Sequence, residues 1–510
     1  MPSRATSGRA RRESRIPWPV LEWVLVLGLA AVSLGLNLAN RDFPLAYHPD
    51  ETKKVQFIQS GEQDWKHPIL LLRLGGGAAA LAGASTDQDV AEAGRAVSGV
   101  LGVVCVLLTW ALLRRALEPG YAMVGTALVA LAPLLVVHAH YLKEDVLLLA
   151  CCLASLLALV GLVERMGTSG EVPASFALGI ATGLAVSSHY KGGLLVAVYA
   201  LVPLVASVYD VRAYYRRIVL ALGTSVLVFL FVNSPLLLDP LAFVEGVFFE
   251  ARHAVEGHHV YIGPLDSWFT FHLFESLIPG LTVPVMLFAG AGFVVALATW
   301  RTQETAARIL LLFGGLSYVA VELSPLKPYP GFARYVVPTV PAIALAACLA
   351  VRAFERAVRG TRLHWIAPLA VVALLVPPAL RSGRLVEGLQ HDTRVLSDRW
   401  LEEHAQKPIV ELYASGRSYD IVSLTTLDVE AARRAGTTHV AASSFLYDRF
   451  ARGSRLAGQK DYVYSTHEKY QELFSYPYVE FRPETPSFAF SNPTIRVVDI
   501  REPRPPGRAG

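Results

Sequence analysis

The sequence predicts a polytopic α-helical membrane protein of about 11 transmembrane helices, with a small extracytoplasmic α/β domain after the last of them. Three observations carry this. The 510 residues are 53% hydrophobic and only 17% charged, with a mean hydropathy of +0.41, too apolar for a soluble chain of this size. Runs long enough to cross a bilayer recur up to residue 380. Beyond residue 381 the apolar stretches shorten to strand length: PIVELYA near 408, THVAASSF near 438 and IRVVDI near 495.

In order along the chain, residues 1–18 form a basic segment with Arg4, Arg9, Arg11, Arg12 and Arg15. The run after it ends in LNLANRDF, which offers no small-residue cleavage site, so it is read as an uncleaved first span on a cytoplasmic N-terminus. The expected spans are 20–39, 94–113, 121–138, 146–163, 173–189, 192–208, 217–238, 276–299, 307–323, 335–354 and 363–380. The stretch 69–84, ILLLRLGGGAAALAGA, is short and carries Arg73 and three glycines, so a surface-lying helix is expected there. Charge decides this choice. With eleven spans, Arg114 and Arg115, Arg165, Arg212, Arg216 and Arg217, Arg301 and Arg308, and Arg352, Arg356, Arg359 and Arg362 all fall in cytoplasmic loops. A twelfth span at 69–84 would put them all outside. The four cysteines lie in apolar runs and indicate packing, not disulfides or a thiolate metal site. The net charge of +4 says little about acidic partners, and no nucleic-acid partner is expected.

The same parity gathers the chemically suggestive residues on the extracytoplasmic face, within a 19–380 catalytic unit whose larger outer loops are 40–93 and 238–276. The first loop holds YHPDETKK, with His48, Asp50 and Glu51, and later His67. A carboxylate pair beside a proline can act as a general base or bind a cation; alone it is equally a solvated turn. The second loop carries Lys143, Glu144 and Asp145, and the third His189, Tyr190 and Lys191. SPLKPYPGFAR ends at Arg334, next to Tyr335. Ionisable groups at span ends on one face suggest a site, although an interfacial ion cluster, or a lysine reaching for headgroups, would look the same. In the long loop, Glu250, His253 and Glu256 share a helical face and His258 follows, a set that could hold a divalent metal; surface histidines are the plain alternative.

Taken together, HPDE after the first span, His67-Pro68 before a surface helix, KED, SSHYKGG, RYVVPTVPAIAL (334–345), HDTRVLSDRWLEEH (391–404) and SFAFSNPTIRVVDI (487–500) resemble the polyprenyl-phosphate-dependent GT-C membrane glycosyltransferases, the protein-O-mannosyltransferase-like and aminoarabinose-transferase-like group. The resemblance covers about 20–500. It implies an inverting transfer of a sugar from a dolichyl or undecaprenyl phosphate carrier to a protein, lipid or envelope-glycan acceptor at the outer face of the cell membrane. It makes Asp50 the catalytic carboxylate and Glu51 its orienting or metal-binding neighbour. Lys191 and Arg334, with Lys143 a third candidate, would meet the lipid phosphate, and Asp145 would support the site. The resemblance leaves metal dependence open. A lipid-linked sugar flippase would carry charges near mid-span and internal repeats, which this chain lacks; a non-catalytic relative would have no use for the intact Asp50-Glu51 pair. The 381–500 region is read as an α/β domain whose first and last strands could pair, serving as lid or acceptor reader, and 501–510 as a disordered Pro/Arg-rich tail.

Overall fold

The computed structural model describes residues 18–208, 210–256, 259–325, 327, 332–417, 419–424 and 426–502. The basic N-terminal arginines, His258 and most of the Pro/Arg-rich tail lie outside the described residues.

The membrane half follows the apolar runs. Its helices are α1 (Trp18–Leu38), α2 (Glu51–Ser60), α3 (Leu70–Ala82), α4 (Asp87–Leu113), α5 (Pro119–Ala130), α6 (Pro133–Ala139), α7 (Glu144–Arg165), α8 (Glu171–Ser188), α9 (Leu194–Val205), α10 (Val211–Val232), α11 (Pro240–Glu256), α12 (Ile278–Leu281), α13 (Val283–Ala298), α14 (Thr305–Leu323), α15 (Val340–Val358) and α16 (Ile366–Gly388). Among the described residues, seven helices are long and apolar enough to cross a membrane, or up to nine spans if each bent pair is counted as one. The chain is a multi-pass membrane protein.

Each of the eleven expected runs is helical, but four differ from a straight span. α5 and α6 meet at 49°, where Pro133 lacks the N–H that would continue the ladder. The 276–299 run is broken by 110° at Thr282, which has φ +79. α8 is not apolar enough for a lone span, and α9, within the shorter apolar helix Tyr190–Val205, is not long enough. α8 is held by close packing on α10, made possible by Gly179 and Gly183: a Cβ at residue 183 would lie 2.8 Å from the Ser225 carbonyl oxygen. The 69–84 stretch is the short helix α3, at 1.5 Å per residue only about 20 Å long, ended by Gly83 at φ +64. Helix α16 runs past residue 380 to Gly388, so the boundary expected at 381 falls inside a helix.

Local chemistry fixes the helix starts near the outer loops. Thr86 and Asp89 form a reciprocal capping box that starts α4. Glu144 and Asp145 occupy the first turn of α7, where the helix dipole favours negative charge. At the far ends of these same helices the arginine-bearing loops meet: Arg115 pairs with Glu164 at 3.0 Å, and Arg356 with Glu118 at 3.0 Å.

After α17 (Thr393–His404), strands β1 (Ile409–Glu411), β2 (Asp420–Val422), β3 (His439–Ser443), β4 (Tyr478–Phe481) and β5 (Ile495–Asp499) form one sheet of order β2-β1-β3-β5-β4, with α18 (Val429–Arg434), α19 (Ser444–Gly453) and α20 (Asp461–Leu473) in the connections. β1 pairs parallel with β2 and β3, and β5 antiparallel with β3 and β4. The first and last expected strands therefore share a sheet but do not pair. The wholly buried β3 lies between them, the position its continuous apolar run suits.

Glu411 ends β1 inside this domain, accepting hydrogen bonds from the Tyr470 hydroxyl and the Ser443 N–H. Burial pushes its carboxyl up to about 8. The folded state thus holds a proton that the unfolded chain releases near the ordinary glutamate value, so this contribution is complete at acid pH and fades as pH rises towards 8. Glu411→Gln is expected to flatten the fall in thermal stability between pH 5 and 8, measured by melting of the full chain in detergent.

Candidate active site

Two joined cavities open at the end of the bundle away from the arginine loops. The polar one, about 420 Å³, is lined by Asp50, His67, Lys143, Asp145, Lys191, Glu250, His253 and Arg334, and is roofed by Tyr413, Arg449 and Phe490 of the C-terminal domain. The second, about 330 Å³, runs between α7, α9 and α14 along Leu148, Cys152, Leu194, Phe313 and Val321. Asp145, Tyr190, Lys191, Arg334 and Tyr335 line both, so one set of polar groups stands where an apolar groove meets a polar chamber.

Asp50 caps α2 at the chamber wall with its side chain 36% exposed. Its Oδ2 lies 2.7 Å from Lys143 Nζ and 3.4 Å from Arg334 Nη1. Burial would raise its carboxyl, but Lys143 and Arg334 more than offset that and hold it well below the usual carboxylate range. Burial works against the charge of Lys143, yet Asp50 and Glu144 hold its ammonium above the usual lysine range. Lys191 Nζ stands 3.2 Å from the Tyr335 ring centroid and makes no ion pair among the described residues. The Arg334 guanidinium is 4.6 Å from the Phe332 ring centroid. The oxygen Oδ2 of Asp145 is buried with no hydrogen-bond partner among the described residues, and the residue lines both cavities. Tyr190 donates to the Trp65 carbonyl at 2.8 Å, tying the third loop to the first.

The acidic pair divides into two roles, and this corrects the expectation for Glu51. Its side chain is wholly buried: Arg95 binds both oxygens, Nη2 to Oε2 at 2.6 Å and Nε to Oε1 at 3.1 Å, and the Leu142 N–H adds a bond at 2.7 Å. Arg95 also donates to the carbonyls of Arg41 at 2.8 Å and Phe43 at 2.5 Å. Glu51 is thus a strut that positions the first loop against the second and does not line the chamber. Glu144 has a similar place, buried between Lys54 and Lys143. His48 also lies off the chamber, packed 4.6 Å from the Tyr141 ring and 4.7 Å from Phe490, with Nδ1 accepting the Asp50 N–H at 3.2 Å. Burial keeps it neutral. His67 reaches the wall beside His189, and burial pushes it down to about 3.

The metal set expected in the long loop does not assemble. Glu250 and His253 face the chamber from α11, Glu256 is exposed on another side of the helix, and His258 lies outside the described residues. Among the described residues no three His, Cys, Asp or Glu side chains gather as a metal site.

The sequence reading passed over Arg95, and over Tyr413, Arg449 and Phe490. An arginine opening the apolar run at 94 was a usable sign of a buried counter-charge; nothing in the sequence marks the three roof residues. They come close because the C-terminal domain is clamped to the first loop. Arg394 pairs with Asp392 at 2.8 Å, stacks 3.7 Å from the Tyr47 ring centroid, and donates to the carbonyls of Tyr47 at 3.2 Å and Phe490 at 3.0 Å.

Residues 66–238 match the family model described as dolichyl-phosphate-mannose-protein mannosyltransferase, a stretch that includes Lys143 to Asp145 and Lys191 but neither Asp50 nor Arg334. The chain is similar to the archaeal oligosaccharyltransferase AglB from Archaeoglobus fulgidus, in complex with an inhibitory peptide and a dolichol-phosphate, at 11% identity, covering 92% of this chain and 74% of that one with a TM-score of 0.57. It also matches ArnT from Cupriavidus metallidurans, bound to undecaprenyl phosphate, at 18% identity over 75% of this chain and 72% of that one, with a TM-score of 0.48. No curated protein matches the chain. The fold is that of the GT-C membrane glycosyltransferases, and the resemblance read from the sequence is borne out.

Proposed function

We propose that the chain is an inverting glycosyltransferase that moves a sugar from a polyprenyl phosphate to a hydroxyl-bearing acceptor on the extracytoplasmic face. The observation that carries this is the junction of the two cavities: an apolar groove suited to an isoprenoid tail opens beside Lys191 and Arg334, with Asp50 paired to Arg334 in the polar chamber. The family model and the dolichol-phosphate bound to AglB support the same donor class. The basic loops at the opposite helix ends support eleven spans, a cytoplasmic N-terminus and an outward chamber.

In this reading Lys191 and Arg334 bind the lipid phosphate, an ammonium supplying a point charge and a guanidinium a planar fork. The acceptor oxygen attacks the anomeric carbon as the carbon–oxygen bond to phosphate breaks. The electron pair of that bond leaves with the polyprenyl phosphate, whose charge the two cations stabilise. Asp50 takes the acceptor proton. At rest its ion pairs make it a weak base. A phosphate that draws Arg334 away leaves the carboxylate more basic when the donor is in place. Asp145 orients a donor hydroxyl, while Tyr413, Arg449 and Phe490 read the acceptor. A divalent metal at Glu250 and His253 would need ligands beyond the described residues, and no step is assigned to it.

The test is transfer of label from polyprenyl-phosphate-linked sugars to a membrane extract by the purified protein. Lys191→Gln is expected to raise the donor KM about tenfold to a hundredfold, the size of one charge-assisted hydrogen bond, with a smaller change in kcat. Label that stays lipid-linked with every donor, combined with no measurable donor binding, would remove the transferase reading.

A further inference from the structure

Helix α11 forms a wall of the reaction chamber, yet much of its surface faces outward. At 3.6 residues per turn its side chains fall into three sectors. Gly246, Glu250, His253 and Ala254 lie on the protein side: Gly246 abuts the Trp65 backbone, where a Cβ would come within 2.6 Å of the carbonyl carbon, and the Ala254 carbonyl accepts from Ser324 at 2.9 Å. Glu245, Arg252 and Glu256 form an exposed charged sector. Between these, Leu241, Val244, Phe248 and Val255 form an exposed apolar sector, with Leu241 74% and Phe248 66% exposed.

A helix packed on protein has no need of a second apolar face, and water does not favour one. The occupant is indicated by what adjoins it. The sector continues the outward surface of α10, where Leu227 and Phe231 are exposed, through Leu237 and Leu238 at the turn into α11. Leu265 and Trp268, the latter 80% exposed, are further exposed apolar residues of the same loop. α10 is long and apolar enough to span, so its exposed apolar residues face lipid, and α11 follows in the chain just beyond the span's end. An apolar arc beside a charged arc is the pattern of a helix lying in a membrane interface.

We propose that α11 is seated in the headgroup–acyl boundary of the bilayer leaflet at the chamber end, so that lipid, rather than protein alone, holds the chamber wall carrying Glu250 and His253. The long 238–276 loop is then not a free aqueous loop. The statement concerns position and stands apart from the reaction proposed above.

The experiment uses the full chain in phospholipid nanodiscs, with bimane attached at Phe248→Cys and wild type labelled in parallel to account for the native cysteines. Lipids brominated near the headgroup should quench the label strongly, lipids brominated at the chain end weakly, and aqueous iodide little. The same probe at Glu245→Cys should show the reverse preference. Quenching of the Phe248 label by iodide alone would place the sector in water and overturn the proposal. Protection from both quenchers would overturn it in favour of a covering protein surface, such as a second copy. Leu241→Cys repeats the test if the Phe248 variant misfolds. For the wall itself, a thiol at Val247→Cys should react several-fold faster with an impermeant maleimide once Leu241→Asp and Phe248→Asp are added; an unchanged rate would show that lipid does not hold it.

Discussion

Asp50→Asn is expected to lower kcat by about 10²–10⁴, the usual contribution of a positioned general base, while leaving the donor KM within a few-fold of wild type. The substitution keeps the shape and removes only the charge that Lys143 meets at 2.7 Å and Arg334 at 3.4 Å. Single-turnover transfer from labelled donor separates this chemical step from binding. Detergent melting, set beside it, shows whether the fold survives. An Asp50→Asn protein that transfers at the wild-type rate would take the base away from this residue, and Asp145, which lines the same chamber, would become the candidate. The depressed carboxyl also carries a pH consequence. Asp50 ionises below the ordinary aspartate value in the fold, so its stabilising effect is present at neutral pH and is lost only as pH falls through the folded value, under strongly acid conditions.

Arg95→Met is expected to destabilise the protein by about 3–5 kcal/mol, because it strands Glu51 as a buried carboxylate without its counter-ion. The double variant Glu51→Leu with Arg95→Met should recover part of that loss, since no unpaired charge remains. Thermal unfolding of the purified full chain reads both. Glu51→Gln separates the two roles that sequence and structure give this residue. A strut variant loses melting temperature, and activity follows in proportion. A catalytic residue would keep the fold and lose kcat alone, and that result would restore Glu51 to the chemistry.

Much of the site was legible because membrane physics writes it into the sequence. Apolar runs mark helices, and arginine placement sorts their ends, so Asp50, Lys143, Asp145, Lys191 and Arg334 could be assigned to one face before any coordinate was known. The structure brings all five to one chamber. What stayed hidden depends on contacts distant along the chain. Asp50 and Glu51 are neighbours of the same chemical type, and only the approach of Arg95 from α4 makes one a strut. The bend of 110° at Thr282 lies between Pro279-Gly280 and Pro284, breakers that a reading of one continuous apolar run passes over. The short strands β2 and β4 have only three and four residues, too few for alternation to show. The helical face bearing Glu250 and His253 was legible as a helix, but which side would meet the chamber was set by Gly246 packing on Trp65.

The clamp between Arg394 and Tyr47 bears on how the molecule comes into being. A ribosome releases the first loop into the membrane long before it makes Asp392, Arg394 and Phe490, the residues that grip Tyr47 and pack on His48. Until they arrive, the loop that presents Asp50 lacks its anchor and the chamber lacks its roof. A chain that ends before Asp392 therefore has neither the Arg394 clamp on Tyr47 nor the Phe490 roof.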